Sequence, residues 1–151
     1  MLACYNIAMR YISGFYALNI PCLLDTTGDW HQSSLDWSKV CFLDSEKSSF
    51  GEWGIEKEVY VPILKGRYNV ANHLRACADF LDLGEYRFAS GMRQDYIAND
   101  YYIIELFQHI YLLKKRKSKE EWQKISEVMK KEYMLYWKYF LEKKEEEGNN
   151  G

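Results

Sequence analysis

Asp29 and His31 are the two residues of this chain whose types and spacing come nearest to acid–base chemistry. A carboxylate beside an imidazole fixes its tautomer and raises its basicity, and histidine titrates near neutrality. Side chains two apart face the same way in extended backbone and diverge on a helix, so local conformation decides whether this pair meets. The pair ends the run Asp25-Thr26-Thr27-Gly28-Asp29-Trp30-His31, in which Asp, Thr and Gly favour turns and caps while Trp30 seeks burial. A plainer alternative has Asp29 capping a short helix to Trp37, Trp30 anchoring the loop and His31 merely exposed. Loops that mix polar and aromatic groups are where binding sites concentrate. Asp29 and His31 are therefore the catalytic candidates, and Trp30 and His31 binding candidates.

Asn72, Arg75 and Asp79, at spacings of three and four, share one face of a helix. The planar fork of Arg75 suits an anion or a carboxylate, although the same spacing also describes a routine ion pair on a solvated face. Asn72, Arg75 and, further along, Arg93 join the binding candidates, and the expected site unites the loop around Trp30 with the polar face of a helix over residues 70–83. His73 and Cys77 have the i,i+4 spacing of two metal ligands on a helix. No second pair with metal-like spacing accompanies them, so neither metal nor cofactor is expected. Lys114 to Lys117 form a basic run at a helix end, where cations complement the helix dipole. The residues that follow interleave lysines with glutamates, which argues against a dedicated phosphate-binding face. Walker, dinucleotide-binding, G-x-S-x-G and H-E-x-x-H signatures do not occur.

Those residues need elements to hold them. The chain has 151 residues, 48% of them apolar and 28% charged, which is the make-up of one globular domain rather than a disordered tail. Thirteen Tyr and five Trp bring large buried areas with polar handles, suited equally to a core and to an interaction surface. A formal charge of −2 disfavours general nucleic-acid binding, and no apolar stretch is long enough for a membrane span. The opening residues lack the basic start of a secretory signal, and four widely spaced cysteines are expected to stay reduced, so the expected location is cytoplasmic.

Helical spacing of Cys4, Ile7, Tyr11, Phe15 and Leu18 predicts a helix over residues 4–18, stopped by Pro21. Residues 40–43 and 58–63 predict short strands, with Pro62 confining the second to a sheet edge. Asn69 is the expected cap of a helix closed at Gly84. Helices are expected over about 86–97 and 100–115, the latter apolar on two faces. Ser118 and Glu121 form a capping box that opens a last helix with the stripe Trp122, Ile125, Met129, Tyr133, Tyr136 and Phe140. The expected fold is a single α+β domain, mostly α-helical, with a small antiparallel β element at about residues 40–63. Residues 1–66 make its mixed part, 67–147 its helical part and 148–151 a disordered tail.

The segments LNIPCLLDTTGDWH (18–31) and YNVANHLRACADFLDLGEY (68–86) resemble an uncharacterised family of small bacterial proteins associated with mobile-element, toxin–antitoxin or phage-conflict loci. The resemblance covers parts of the first two-thirds of the chain, carries no catalytic residue, and implies a conflict-system component. The leading expectation is a cytosolic protein-binding module, such as an antitoxin, immunity protein or inhibitor, whose partner is another protein or a second copy of the chain. A small enzyme acting on a nucleotide or phosphate ester through Asp29, His31 and Arg75 is the alternative. RNA or DNA binding through Lys114–Lys117 comes third.

Overall fold

The computed structural model describes residues 9–150, which form a mixed four-stranded sheet and a predominantly helical remainder. Strand β1 (Arg10–Ile12) leads through Ser13 into a short helix, α1 (Gly14–Leu18), and a long loop then reaches β2 (Phe42–Asp44). Strands β3 (Ile55–Val61) and β4 (Gly66–Ala71) make an antiparallel hairpin. The sheet order is β2-β1-β4-β3, with β1 antiparallel to β2 and parallel to β4. The α+β, mostly helical reading holds. The sheet is mixed rather than antiparallel and reaches beyond residues 40–63 on both sides.

The helix expected over 4–18 is interrupted. Residues 4–8 lie outside the described residues, Arg10–Ile12 pair in the sheet, and only Gly14–Leu18 are helical. Tyr11 and Ile12 are both fully buried, which one face of a helix would not allow for adjacent residues but a short central strand does. Pro62 ends β3 at the sheet edge and opens a 3-10 turn that carries the chain into β4.

Helix α2 (His73–Asp82) is the centre of the molecule, with every residue from His73 to Leu81 buried. Its cap is Asn72, whose side-chain oxygen accepts from the Arg75 N–H, and not Asn69. Asn69 lies in β4, where its amide donates to the Arg10 carbonyl across the sheet. Residues 86–89 and 92–97 form a 3-10 turn and a π-helical turn in place of one helix. Helix α3 (Ile103–Tyr111) then bends at Leu112 into α4 (Leu113–Arg116).

The expected last helix is two helices. The Ser118/Glu121 capping box opens α5 (Lys119–Tyr133), and the chain reverses at Met134, at φ 50°, into α6 (Leu135–Asn150). The reversal stacks Trp122 near Trp137, ring centroids 6.1 Å apart, and the Trp137 indole N–H donates to Ser126 Oγ across the hairpin. Ile125, Met129 and Tyr133 are buried as the stripe requires. Beyond Met134 the face changes: Tyr136 is exposed, Phe140 half-buried, and Trp137 takes the core position against Phe107 of α3. Helix α6 runs to Asn150.

Candidate functional site

Asp29 and His31 meet. The His31 Nδ1 lies 2.5 Å from Asp29 Oδ1, with the imidazole 75% exposed and the carboxylate 14%. Asp29 is not the expected helix cap. Its other oxygen accepts from the Asn19 amide at 3.1 Å, and the residues up to Trp37 form only two short 3-10 turns, the second capped by Asp36. Asn19, which the sequence did not single out, orders this corner. Its amide also donates to the Phe15 carbonyl, and its side-chain oxygen accepts from the His31 N–H.

The loop backbone is pinned on both sides of Trp30. The Gly28 N–H donates to the Tyr96 carbonyl and the Asp29 N–H to the Leu18 carbonyl, each at 2.7 Å. Gly28 has φ +74°, and a Cβ there would stand 2.5 Å from the Leu18 oxygen and 2.8 Å from the His73 ring. Only glycine allows this close approach. Trp30 is nevertheless 76% exposed, at the rim of a cavity of ≈ 70 Å³ lined also by Asn19, Ile20, Cys22, Thr26 and His73.

The expected meeting of this loop with helix α2 takes place, but through His73 rather than Arg75. The His73 Nε2 donates to the Ile20 carbonyl at 2.9 Å, because a carbonyl can only accept. That leaves Nδ1 of the neutral ring as an acceptor, 2.7 Å from Thr26 Oγ1. Thr26 Oγ1 is in turn 3.3 Å from Cys22 Sγ. Burial on its own would raise the Cys22 thiol pKa, but the neighbouring His73 side chain and the Thr26 hydroxyl outweigh it and hold the thiol low. Burial would likewise lower His73, yet the pairing with Cys22 and the Ile20 carbonyl raise it. The sequence linked His73 to Cys77 instead. Cys77 faces the core, with no group to lower its pKa, and burial pushes its thiol up.

Arg75 is fully buried and is not an anion-binding group. All five of its N–H donors are used: Nε on Asp79 at 2.9 Å, Nη1 on the Gly51 and Trp53 carbonyls, Nη2 on Tyr11 Oη and Ser48 Oγ. Asp79 also accepts from Tyr11 and Ser13. The face expected to be solvated thus joins α2 to β1 and to the loop before β3. Asn72 is spent as the α2 cap and is also buried. Arg93 grips both oxygens of Asp100 at 3.1 and 2.8 Å and lies over the rings of Tyr133 and Tyr136, which secures the α5–α6 corner. The six candidates therefore do not converge on one cleft. Asp29, Trp30 and His31 lie on one loop, Asn72 and Arg75 are buried on and beside α2, and Arg93 is spent at the α5–α6 corner.

In the basic run, Lys117 is committed to Asp82, with Nζ at 2.8 Å from Oδ1. Among the described residues no group of three His, Cys, Asp or Glu side chains has metal-binding geometry, and no helix is long and apolar enough to cross a membrane. Cys22, Cys41 and Cys77 are free thiols. Comparison of the chain with protein-family models, with curated proteins and with solved structures gave no match.

Proposed function

We propose that this chain is a protein-binding module whose principal contact residue is Trp30. The observation that carries the reading is an indole left 76% exposed on a loop whose backbone is fixed on both sides. Holding a large apolar side chain in water is unfavourable, and ordering its loop beforehand removes part of the entropy that association would otherwise lose. Leu23, 89% exposed, and His31 extend the same loop surface, so the fitting partner is a protein with an apolar pocket for the indole and a polar rim. The form proposed for this role is an antitoxin, immunity protein or inhibitor acting by stoichiometric contact in the cytoplasm. The enzyme alternative keeps one support, the Asp29–His31 contact, and loses its anion-binding group because the Arg75 guanidinium is saturated.

Three variants test the reading in the cells that make the protein. Trp30→Ala is expected to weaken the complex with its stoichiometric partner about thirtyfold, the equivalent of about 2 kcal/mol for an interface anchor. His31→Ala and Asp29→Asn are expected to leave that complex and the biological activity in place. The reading is wrong if a folded Trp30→Ala keeps full affinity, or if the other two abolish activity while the complex persists. The latter is the pattern of acid–base catalysis, where losing one member costs about 10²–10⁴ in rate.

A further inference from the structure

We propose that Cys22, Thr26 and His73 form a nucleophilic-thiol site at which Cys22 is oxidised by a small hydroperoxide. The inference stands apart from the binding reading and concerns residues that reading does not use.

Four features of the geometry point to it. First, the sulfur is half-buried at a cavity, whereas Cys77 is sealed in the core, so an external reagent has a route to one thiol and not the other. Second, Cys22 Sγ lies 3.3 Å from Thr26 Oγ1, which in turn lies 2.7 Å from His73 Nδ1 at the start of α2. A hydroxyl linked to a histidine beside the sulfur favours the thiolate. Third, the Ile20 carbonyl fixes the His73 tautomer with Nδ1 toward Thr26, so a proton can leave the thiol through the Thr26 hydroxyl to the ring. Glu56 of β3 adds its charge beside His73, and its Oε2 accepts from the Leu23 N–H, which holds the loop there. Fourth, the cavity is ≈ 70 Å³, room for about two water molecules and too little for a peptide or nucleotide. A small oxidant fits the space.

The Cys22 proton passes to His73, the thiolate attacks one peroxide oxygen, the S–O bond forms and the O–O bond breaks. The departing hydroxide, or alkoxide where the hydroperoxide is organic, takes the proton from the His73 imidazolium and leaves as water or an alcohol. Cys22 becomes a sulfenic acid, oxidised by two electrons, and the hydroperoxide is reduced by two.

Peptide-resolved mass spectrometry on the full chain tests this, with exposed Cys41 as the internal reference thiol. At pH 6.5 Cys22 is expected to react with iodoacetamide several-fold faster than Cys41, because its contact with Thr26 and, through it, His73 favours the thiolate. After brief treatment with hydrogen peroxide, dimedone is expected to label Cys22 and not Cys41. Thr26→Val, which removes the relay hydroxyl but keeps the shape, and His73→Gln, which removes the base, are both expected to bring the Cys22 rate down to that of Cys41. The pH profile of the wild-type rate covers the case in which His73→Gln does not fold: Cys22 should reach its plateau at lower pH than Cys41. Equal rates and profiles for the two thiols, equal dimedone labelling, or an unaltered Cys22 rate in a folded variant would each overturn the proposal.

Discussion

Two carboxylate–base pairs in this chain read alike in the sequence and do opposite work. Asp29–His31 and Arg75–Asp79 both join a carboxylate to a nitrogen base at short spacing. In the first the imidazole is 75% exposed and each group has few partners, whereas in the second both side chains are essentially inaccessible. The Arg75 fork draws its partners from across the chain, from Tyr11 on β1 and from Ser48, Gly51 and Trp53 before β3. Saturation of every donor is what makes such a charge tolerable inside a protein. Short-range spacing shows who can pair with whom. The number of further partners decides whether the pair can be buried, and those partners come from distant segments.

The largest effect should come from the buried pair. Arg75→Ala leaves Asp79 without its counter-charge and frees the Gly51 and Trp53 carbonyls, and should cost about 3–5 kcal/mol of stability. Denaturant titration measures it, and a loss under about 1 kcal/mol would place Arg75 with the surface pair instead.

The same contrast between near and far partners separates what was legible in the sequence from what was not. The Ser118/Glu121 box, the Gly84 stop and the Pro62 strand edge all depend on residues within a few positions, and each was readable. The Asp29–His31 contact was legible for the same reason. The reversal at Met134 was not, because methionine favours helix and nothing local, neither Gly nor Pro, marks the positive φ. It is set by packing, with Trp137 folding back on Trp122 and against Phe107. Trp137→Ala should therefore cost about 3–5 kcal/mol, and Trp122→Ala, half-buried, clearly less. Equal losses would mean that the stripe continues through Met134 after all. Cys22 and His73 were beyond local reading too: Thr26, which joins them, lies 47 residues from His73.

An intermediate case grades the comparison. Asp82 accepts from Ser49 N–H and Oγ and from Lys117, which ties the end of α2 to the loop after α4. Burial alone would raise its pKa, but Lys117 and Ser49 overcome that and hold it below the ordinary value of 3.8. A carboxylate depressed on folding stabilises the protein above its unfolded pKa, and the contribution fades as pH falls through the folded value. Asp82→Asn should cost about 1.5–3 kcal/mol at neutral pH, and the deficit should shrink on acidification below about pH 4. A deficit that is constant with pH would assign the loss to packing rather than charge.

The smallest effect belongs to the exposed pair. His31→Ala removes a ring that water already solvates, and should change stability by no more than about 0.5 kcal/mol, whatever it does to activity. The Asn19–Asp29 hydrogen bond and the His31 N–H to Asn19 survive the substitution, so the loop keeps its shape and Trp30 its place. A thermal unfolding curve displaced by as much as that of Arg75→Ala would show that exposure misleads here and that His31 is a structural strut. An unmoved curve joined to a changed activity would mark the surface pair as the one of the two that the protein uses on something outside itself.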